Sequence, residues 1–276
     1  MLRLVYILIT GLCCLRPAGA RAQGGFQVQP SKLYFHEQNG TLAPSRVLVK
    51  NPSPVPMVVR ASCADWVRDS TGNKQYFAPG ATPTSCCPYL LVQPETVELQ
   101  PGEEKEMIVT LRPTGKATTE LRHGMLFLTQ ANEHELAASQ KVTAAVVFRM
   151  QIGVHLYQIP ATAKNRSLVI DTLALPTVAK ATPAKAEPVG PQVRVRVRNA
   201  GDLNAESTLR VELTNLQTAQ ETKLNPVDIN TLPNDRIWIA ADVKEKLPKG
   251  RYLVVAILDS GPDIPLQVAE IETELP

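Results

Sequence analysis

The side chains in this 276-residue chain that could do chemistry are few, and most lack the company that chemistry needs. His36 and His134 each precede a glutamate, which is how a zinc-protease helix begins, but neither motif carries its second histidine. His123 and His155 are scattered, and there is neither a Gly-x-Ser-x-Gly elbow nor a glycine-rich phosphate loop. Glu103-Glu104-Lys105-Glu106, the densest acidic patch, follows a Pro-Gly turn and reads as solvated surface. Arg194, Arg196 and Arg198 alternate with valines and could face an anionic partner, but Glu206, Glu212 and Glu221 follow closely, so a solvated face is the simpler reading. Asn39-Gly40-Thr41 and Asn165-Arg166-Ser167 match the glycosylation pattern, which matters only in a eukaryotic secretory pathway. No enzymatic activity, cofactor or metal is expected.

The compartment decides how the cysteines behave. Residues 1–22 read as a secretory leader, with Arg3 at the charged start, Leu4 to Leu15 as the apolar run and Ala20-Arg21-Ala22 as the cleavage site. The run is too short for a membrane span, and Leu12 and Cys13 are poor neighbours for a lipidated cysteine. An exported, periplasmic protein without a membrane span is expected. The leader holds three arginines and no acid, so its loss takes the 29 basic residues to 26, equal to the 26 acidic ones. A mature chain without net charge gives no reason to expect nucleic-acid binding. Cys63, Cys86 and Cys87 remain. In an oxidising compartment Cys63 should bridge to Cys86 or Cys87, with Cys63–Cys86 taken as the pair, at ~3 kcal/mol of chain-entropy stabilisation. A vicinal Cys86–Cys87 bridge would be strained, and an all-cysteine metal site would want a fourth ligand.

The elements that must position these residues are strands. In Gln140–Pro160 (QKVTAAVVFRMQIGVHLYQIP), the even-numbered residues Val142 to Leu156 are all apolar, and the odd-numbered row is mixed. Side chains alternate across a strand, so this predicts one ribbon of about 50 Å with an apolar face. Around it, Gln23 to Gln158 reads as about seven strands separated by turn signals, without an amphipathic helix, which argues an immunoglobulin-type sandwich. Asp69 to Gly80 is expected to be a polar loop.

Three motifs in this half resemble the N-terminal domain of the periplasmic pilus-assembly chaperones, the PapD-like family. They are an opening strand with a basic residue (VQPSKLYF), a Leu-x-Pro-Gly-Glu turn into a strand (LQPGEEKEMIVTLRP), and a long strand ending in HLYQIP. Asp65-Trp66 with Gly72-Asn73, and Ser85-Cys86, mark a divergent branch. The resemblance implies that the long strand is lent to a subunit lacking its own last strand. In the register set by HLYQIP, Val146, Phe148 and Met150 are the donated side chains. The resemblance also implies two basic cleft residues that hold the subunit's terminal carboxylate. Lys32 matches the first, and the second falls at His155. A neutral imidazole is a weaker anchor than lysine, and Arg149, on the same parity, is the alternative.

Beyond a short hinge, residues 165–276 read as a second all-β, immunoglobulin-like unit. Pro176 to Gln192 should be an exposed loop, Val193 to Asn199 (VRVRVRN) a strand with its valines inward, and further strands follow to Leu275. The expected architecture is therefore a leader over 1–22 and two immunoglobulin-like sandwiches over 23–158 and 165–276. The implied function is a chaperone for pilus-type subunits, with an outer-membrane usher as a further partner. A non-enzymatic structural or adaptor component of an envelope or secretion assembly is the competing expectation, because sandwiches host many functions.

Overall fold

The computed structural model describes residues 25–38, 40–112, 119–132, 148–175, 192–243, 247–262 and 264–275. Residues 1–22, expected to be a leader, Val146, His134 and residues 176–191 of the expected exposed loop lie outside them.

The first half carries β1 (Gln27–Gln29), β2 (Lys32–Gln38), β3 (Thr41–Leu42), β4 (Ser45–Lys50), β5 (Met57–Arg68) and β6 (Lys74–Phe77). After these come β7 (Leu90–Gln93), β8 (Thr96–Leu99), β9 (Glu104–Leu111), β10 (Arg122–Gln130) and β11 (Gln151–Ile159). They form two sheets, one ordered β1-β4-β9-β7 and the other β3-β2-β11-β10-β5-β6, with β8 also on β5. Pro30 and Ser31 interrupt what would otherwise be one opening strand, so β1 joins the first sheet and β2 crosses to the second. Between the sheets lies a core that includes Phe35, Val47, Val49, Leu99, Met107, Leu126, Leu128, Val154 and Leu156. The Pro101-Gly102 turn closes with Glu103 N–H donating to Gln100 C=O at 3.0 Å, and Gly102 takes the positive φ of 77° that this turn requires.

The second half carries β12 (Leu168–Ala174), β13 (Gln192–Asn199), β14 (Ala205–Asn215), β15 (Glu221–Lys223), β16 (Val227–Thr231), β17 (Arg236–Asp242), β18 (Gly250–Asp259) and β19 (Gln267–Leu275). Its sheets are β12-β13-β17 and β15-β14-β18-β19, with β16 on β14. Val193, Val195 and Val197 are fully buried between them, as their alternation predicts. The protein is thus all-β, two immunoglobulin-like sandwiches joined by a short hinge after β11.

A third apolar cluster joins the halves. Trp66, Leu121, Met125, Tyr157 and Ile159 from the first pack with Leu203 and Leu232 from the second. The connection between β5 and β6 adds a main-chain link, with Trp238 N–H donating to Ser70 C=O at 2.8 Å.

Two expectations change. The polar stretch after Asp69 contains a strand, β6, whose Lys74–Phe77 pair with Arg68–Asp65 and so extend the β5 ladder. The long ribbon is described over the nine residues of β11, while Phe148, Arg149 and Met150 are exposed and outside any strand. Residues 140–147 of the expected ribbon lie outside the described residues.

Candidate functional site

The site begins with a strand pair. Among the described strands every pairing is antiparallel except that of β11 with β2, which sets His155 opposite Lys32 and Tyr157 opposite Tyr34. These side chains point away from the first core, toward the second half. The same face gains Trp66 and Arg68 from β5, two residues apart and therefore on one side of the strand. Lys74 pairs with Arg68 across the β5–β6 ladder and joins them.

Together with β14, β16 and the end of β18, this face encloses a cleft of about 670 Å³. Its first-half wall consists of Lys32, Arg68, Lys74 and His155, and the second-half wall includes Glu206, Asp228, Asn230 and Asp259. A connected polar network crosses it. Lys32 Nζ is ion-paired with Glu206 Oε1, which also accepts from Asn230 Nδ2 at 3.0 Å. Asn230 Oδ1 accepts from Arg68 Nη2 at 3.0 Å, and Arg68 Nε lies 3.5 Å from Asp235 Oδ2.

Lys74 Nζ sits 2.9 Å from His155 Nε2. An ammonium only donates, so Nε2 accepts and the imidazole proton resides on Nδ1, which donates to Tyr157 Oη at 3.2 Å. Tyr157 Oη–H in turn points at Asn230 Oδ1, 3.5 Å away. Burial, followed by the charges of Lys74, Arg68 and Lys32, holds His155 down to about 3, so it is neutral at physiological pH. Burial likewise lowers Lys74, with Arg68 and Lys32 adding to the effect, and raises Tyr157. The aromatic floor is continuous: Tyr34 stacks on Tyr157 with centroids 5.3 Å apart, Trp66 meets His155 edge-on at 5.1 Å, and Arg68 and Lys74 lie over the Trp66 ring.

A strand edge leads into this cleft. From His155 to Gln158, β11 is flanked by β10 on one side and β2 on the other. Upstream, Gln151 to Val154 pair with β10, and among the described residues no strand covers their other edge. His155 N–H donates to Ser31 C=O at 3.0 Å, on the β2 side. The period of two turns the main-chain groups of Gln151 and Gly153 to that same, uncovered side. Just before β11, Phe148 is 70% exposed and Met150 37% exposed.

The structure therefore brings Lys32 and His155 together. It places Arg149 elsewhere, in a separate depression with Arg60 and Thr129, because it precedes β11 at the end away from the cleft. Val146 lies outside the described residues. Arg68 and Lys74 were missed. Arg68 was legible as the second residue after Trp66 on one strand, whereas Lys74 sits in a stretch with no periodicity to read.

The disulfide pairing needs a correction: Cys63 joins Cys87, not Cys86, with Cα atoms 5.7 Å apart. Buried Asp65 pins the preceding loop by accepting from Thr82 N–H and the Ser85 hydroxyl, and Cys86 N–H donates to His123 C=O. A short 3-10 turn over Cys87–Tyr89 then aims the two neighbouring side chains differently. Cys87 reaches Cys63, and Cys86 is left as a thiol in the first core, pushed up to about 12 by burial. His123 is accounted for structurally, with Nε2 on Trp66 C=O at 2.8 Å and its ring edge-on to Trp66. Among the described residues no cluster of His, Cys, Asp and Glu is arranged to hold a metal ion, and no helix is long and apolar enough to cross a membrane.

No family model and no curated protein matches the chain. Among solved structures it is similar to a chain of a chaperone–tip adhesin complex of CFA/I fimbriae biogenesis, at 13% identity over 90% of this chain and 98% of that one, TM-score 0.47. It is also similar to the YadV chaperone, at 9% identity over 91% and 99% of the two chains, TM-score 0.47. A third likeness is to a chain of the CsuC–CsuE chaperone–tip adhesion subunit complex of Acinetobacter baumannii, at 12% identity over 78% and 90%, TM-score 0.44. At such identities and TM-scores these likenesses assign this chain neither a family nor a function.

Proposed function

We propose that the protein is an exported, non-enzymatic chaperone of the PapD-like kind, which holds pilus-type or other surface-appendage subunits by lending them a strand. One observation carries the reading: a strand edge that no other strand covers among the described residues, Gln151–Val154, runs directly into a cleft whose near wall bears Lys32 and Lys74. Main-chain groups along that edge supply affinity, and the apolar row that continues upstream through Met150, Phe148 and Val146 supplies selectivity in the client's groove. Lys32 and Lys74 receive the client's terminal carboxylate. His155, at the strand position where a second cation is expected, acts by accepting from Lys74 and orienting it.

No nucleotide is required, because completing the client's fold supplies the free energy. The leader places the protein in the periplasm, and an outer-membrane usher would take over the client. The test is affinity purification of the tagged, exported protein from its native envelope, with mass spectrometry of what accompanies it. A stoichiometric small β-protein lacking its last strand is the expected result. A large envelope complex without such a subunit would overturn the reading in favour of a structural or adaptor role.

A further inference from the structure

The cleft is dipolar, and its two walls come from different halves of the protein. Every first-half side chain that lines it is of a basic type, Lys32, Arg68, Lys74 and His155, whereas the second half contributes Glu206, Asp228 and Asp259. Some of this charge is already committed. Arg68 pairs with Asp235, and Asp259 lies 3.3 Å from Arg210. What remains is Lys32, Lys74, Glu206 and Asp228, two cations facing two carboxylates.

Glu206 and Asp228 share one face of the β14–β16 ladder, where Glu206 opposes Asn230 and Thr208 opposes Asp228. Asp228 Oδ1 accepts from Thr208 Oγ1 at 2.9 Å and meets no cation among the described residues. Lys74 meets the His155 nitrogen and the Trp66 ring, and no carboxylate among the described residues. Lys32 is the cation that Glu206 holds.

A ligand carboxylate entering between Lys32 and Lys74 must compete with Glu206. Once displaced, Glu206 keeps the Asn230 amide and loses its counter-charge, and the cleft passes from neutral to a net negative charge. An uncompensated anion in a partly enclosed site is unfavourable. A basic side chain carried by the same ligand, laid against Glu206 and Asp228, restores neutrality.

Resting on the reading that this cleft anchors a client's C-terminus, we infer that the cleft selects client tails in which the terminal carboxylate is accompanied by a lysine or arginine a few residues before it. Glu206 and Asp228 are the specificity-determining residues. In the free protein Glu206 doubles as an internal competitor that keeps Lys32 occupied.

The experiment uses the mature protein and three labelled peptides sharing one alternating apolar sequence. The first ends in a free carboxylate with a lysine near the end, the second replaces that lysine by norleucine, and the third keeps the lysine but ends in an amide. Fluorescence anisotropy should give wild type an affinity for the lysine acid about two- to fivefold above the norleucine acid, the range of a partly exposed ion pair. The double variant Glu206→Gln, Asp228→Asn should lose that preference, and Glu206→Gln alone should bind the norleucine acid more tightly than wild type does. Equal binding of the lysine and norleucine acids by wild type, or a preference that survives in the double variant, overturns the inference while leaving the anchor intact. Equal binding of acid and amide, or no binding of any peptide, overturns the anchor and the inference together.

Discussion

Lys74 Nζ approaches His155 Nε2 to 2.9 Å, so an imidazole on β11 serves as the acceptor that fixes an ammonium from the edge strand β6. β6 thereby adds Lys74 to the basic wall that holds Lys32 and Arg68, while β11 contributes a neutral imidazole. The burial that keeps His155 neutral is what lets it accept.

Lys32→Ala and Lys74→Ala should each weaken binding of a carboxylate-terminated peptide by about tenfold, the scale of a charge-assisted hydrogen bond at a partly exposed site. Anisotropy with acid and amide forms of one peptide checks this, since the amide should be insensitive to both substitutions. Arg149→Ala, outside the cleft, should leave the acid-over-amide preference unchanged.

His155 makes folding pH-dependent with a definite sign. Its ordinary value is 6.5 and burial takes the folded state down to about 3, so between these values the unfolded chain binds a proton that the folded chain refuses. This contribution to stability is complete above pH 6.5, is lost as pH falls through the window, and levels off below about pH 3. Thermal melts of wild type and His155→Gln across that range should show a shallower decline in the variant. His123 is also lowered by burial and contributes with the same sign, so some slope should remain.

Phe148→Asp should leave the melting temperature nearly unchanged, because an exposed substitution costs within about 0.5 kcal/mol, while abolishing capture of the client. Val154→Asp, on the same parity but fully buried, should prevent folding. If Phe148→Asp retains its client, strand donation through this row is excluded.

Peptide mapping of the non-reduced mature protein should find Cys63 bonded to Cys87. Ellman's reagent should detect no thiol in the native state and one per chain after denaturation, because Cys86 is buried and its thiol pushed up to about 12. Cys87→Ala should lower stability by about 2–4 kcal/mol in a denaturant titration.

Gly124→Ala should destabilise by about 1–3 kcal/mol, as overpacking of a filled interior does. A methyl group there would lie 2.9 Å from Cys87 Sγ, 3.0 Å from Cys86 Sγ and 3.5 Å from Cys63 Sγ. The same denaturant titration checks it, and an unchanged midpoint would mean that the sulfurs have room to yield.

Alternating runs separated by turn signals were enough to expect the sandwiches. The run Val193-Arg-Val-Arg-Val has one geometry in which the valines face inward, and all three are buried, while Arg194 is exposed and Arg196 is half-buried over the Trp238 ring. Lys32 and His155 were singled out by the resemblance carried on VQPSKLYF and HLYQIP, and the parallel pairing of β2 with β11 sets them opposite each other. Lys74 was beyond this reasoning, because its stretch has no hydrophobic period and its place comes only from pairing with Arg68. The choice between Cys86 and Cys87 depended on a single 3-10 turn, since adjacent side chains leave a backbone in different directions and sequence separation barely distinguishes them. Glu206 lies 174 residues from Lys32, and nothing local marks either as the other's partner. Local periodicity is written in each strand by the need to bury one face, so the sequence determined the elements and their inward sides. The charges that confront one another across the cleft were decided by how two sandwiches dock, which is a property of the tertiary structure.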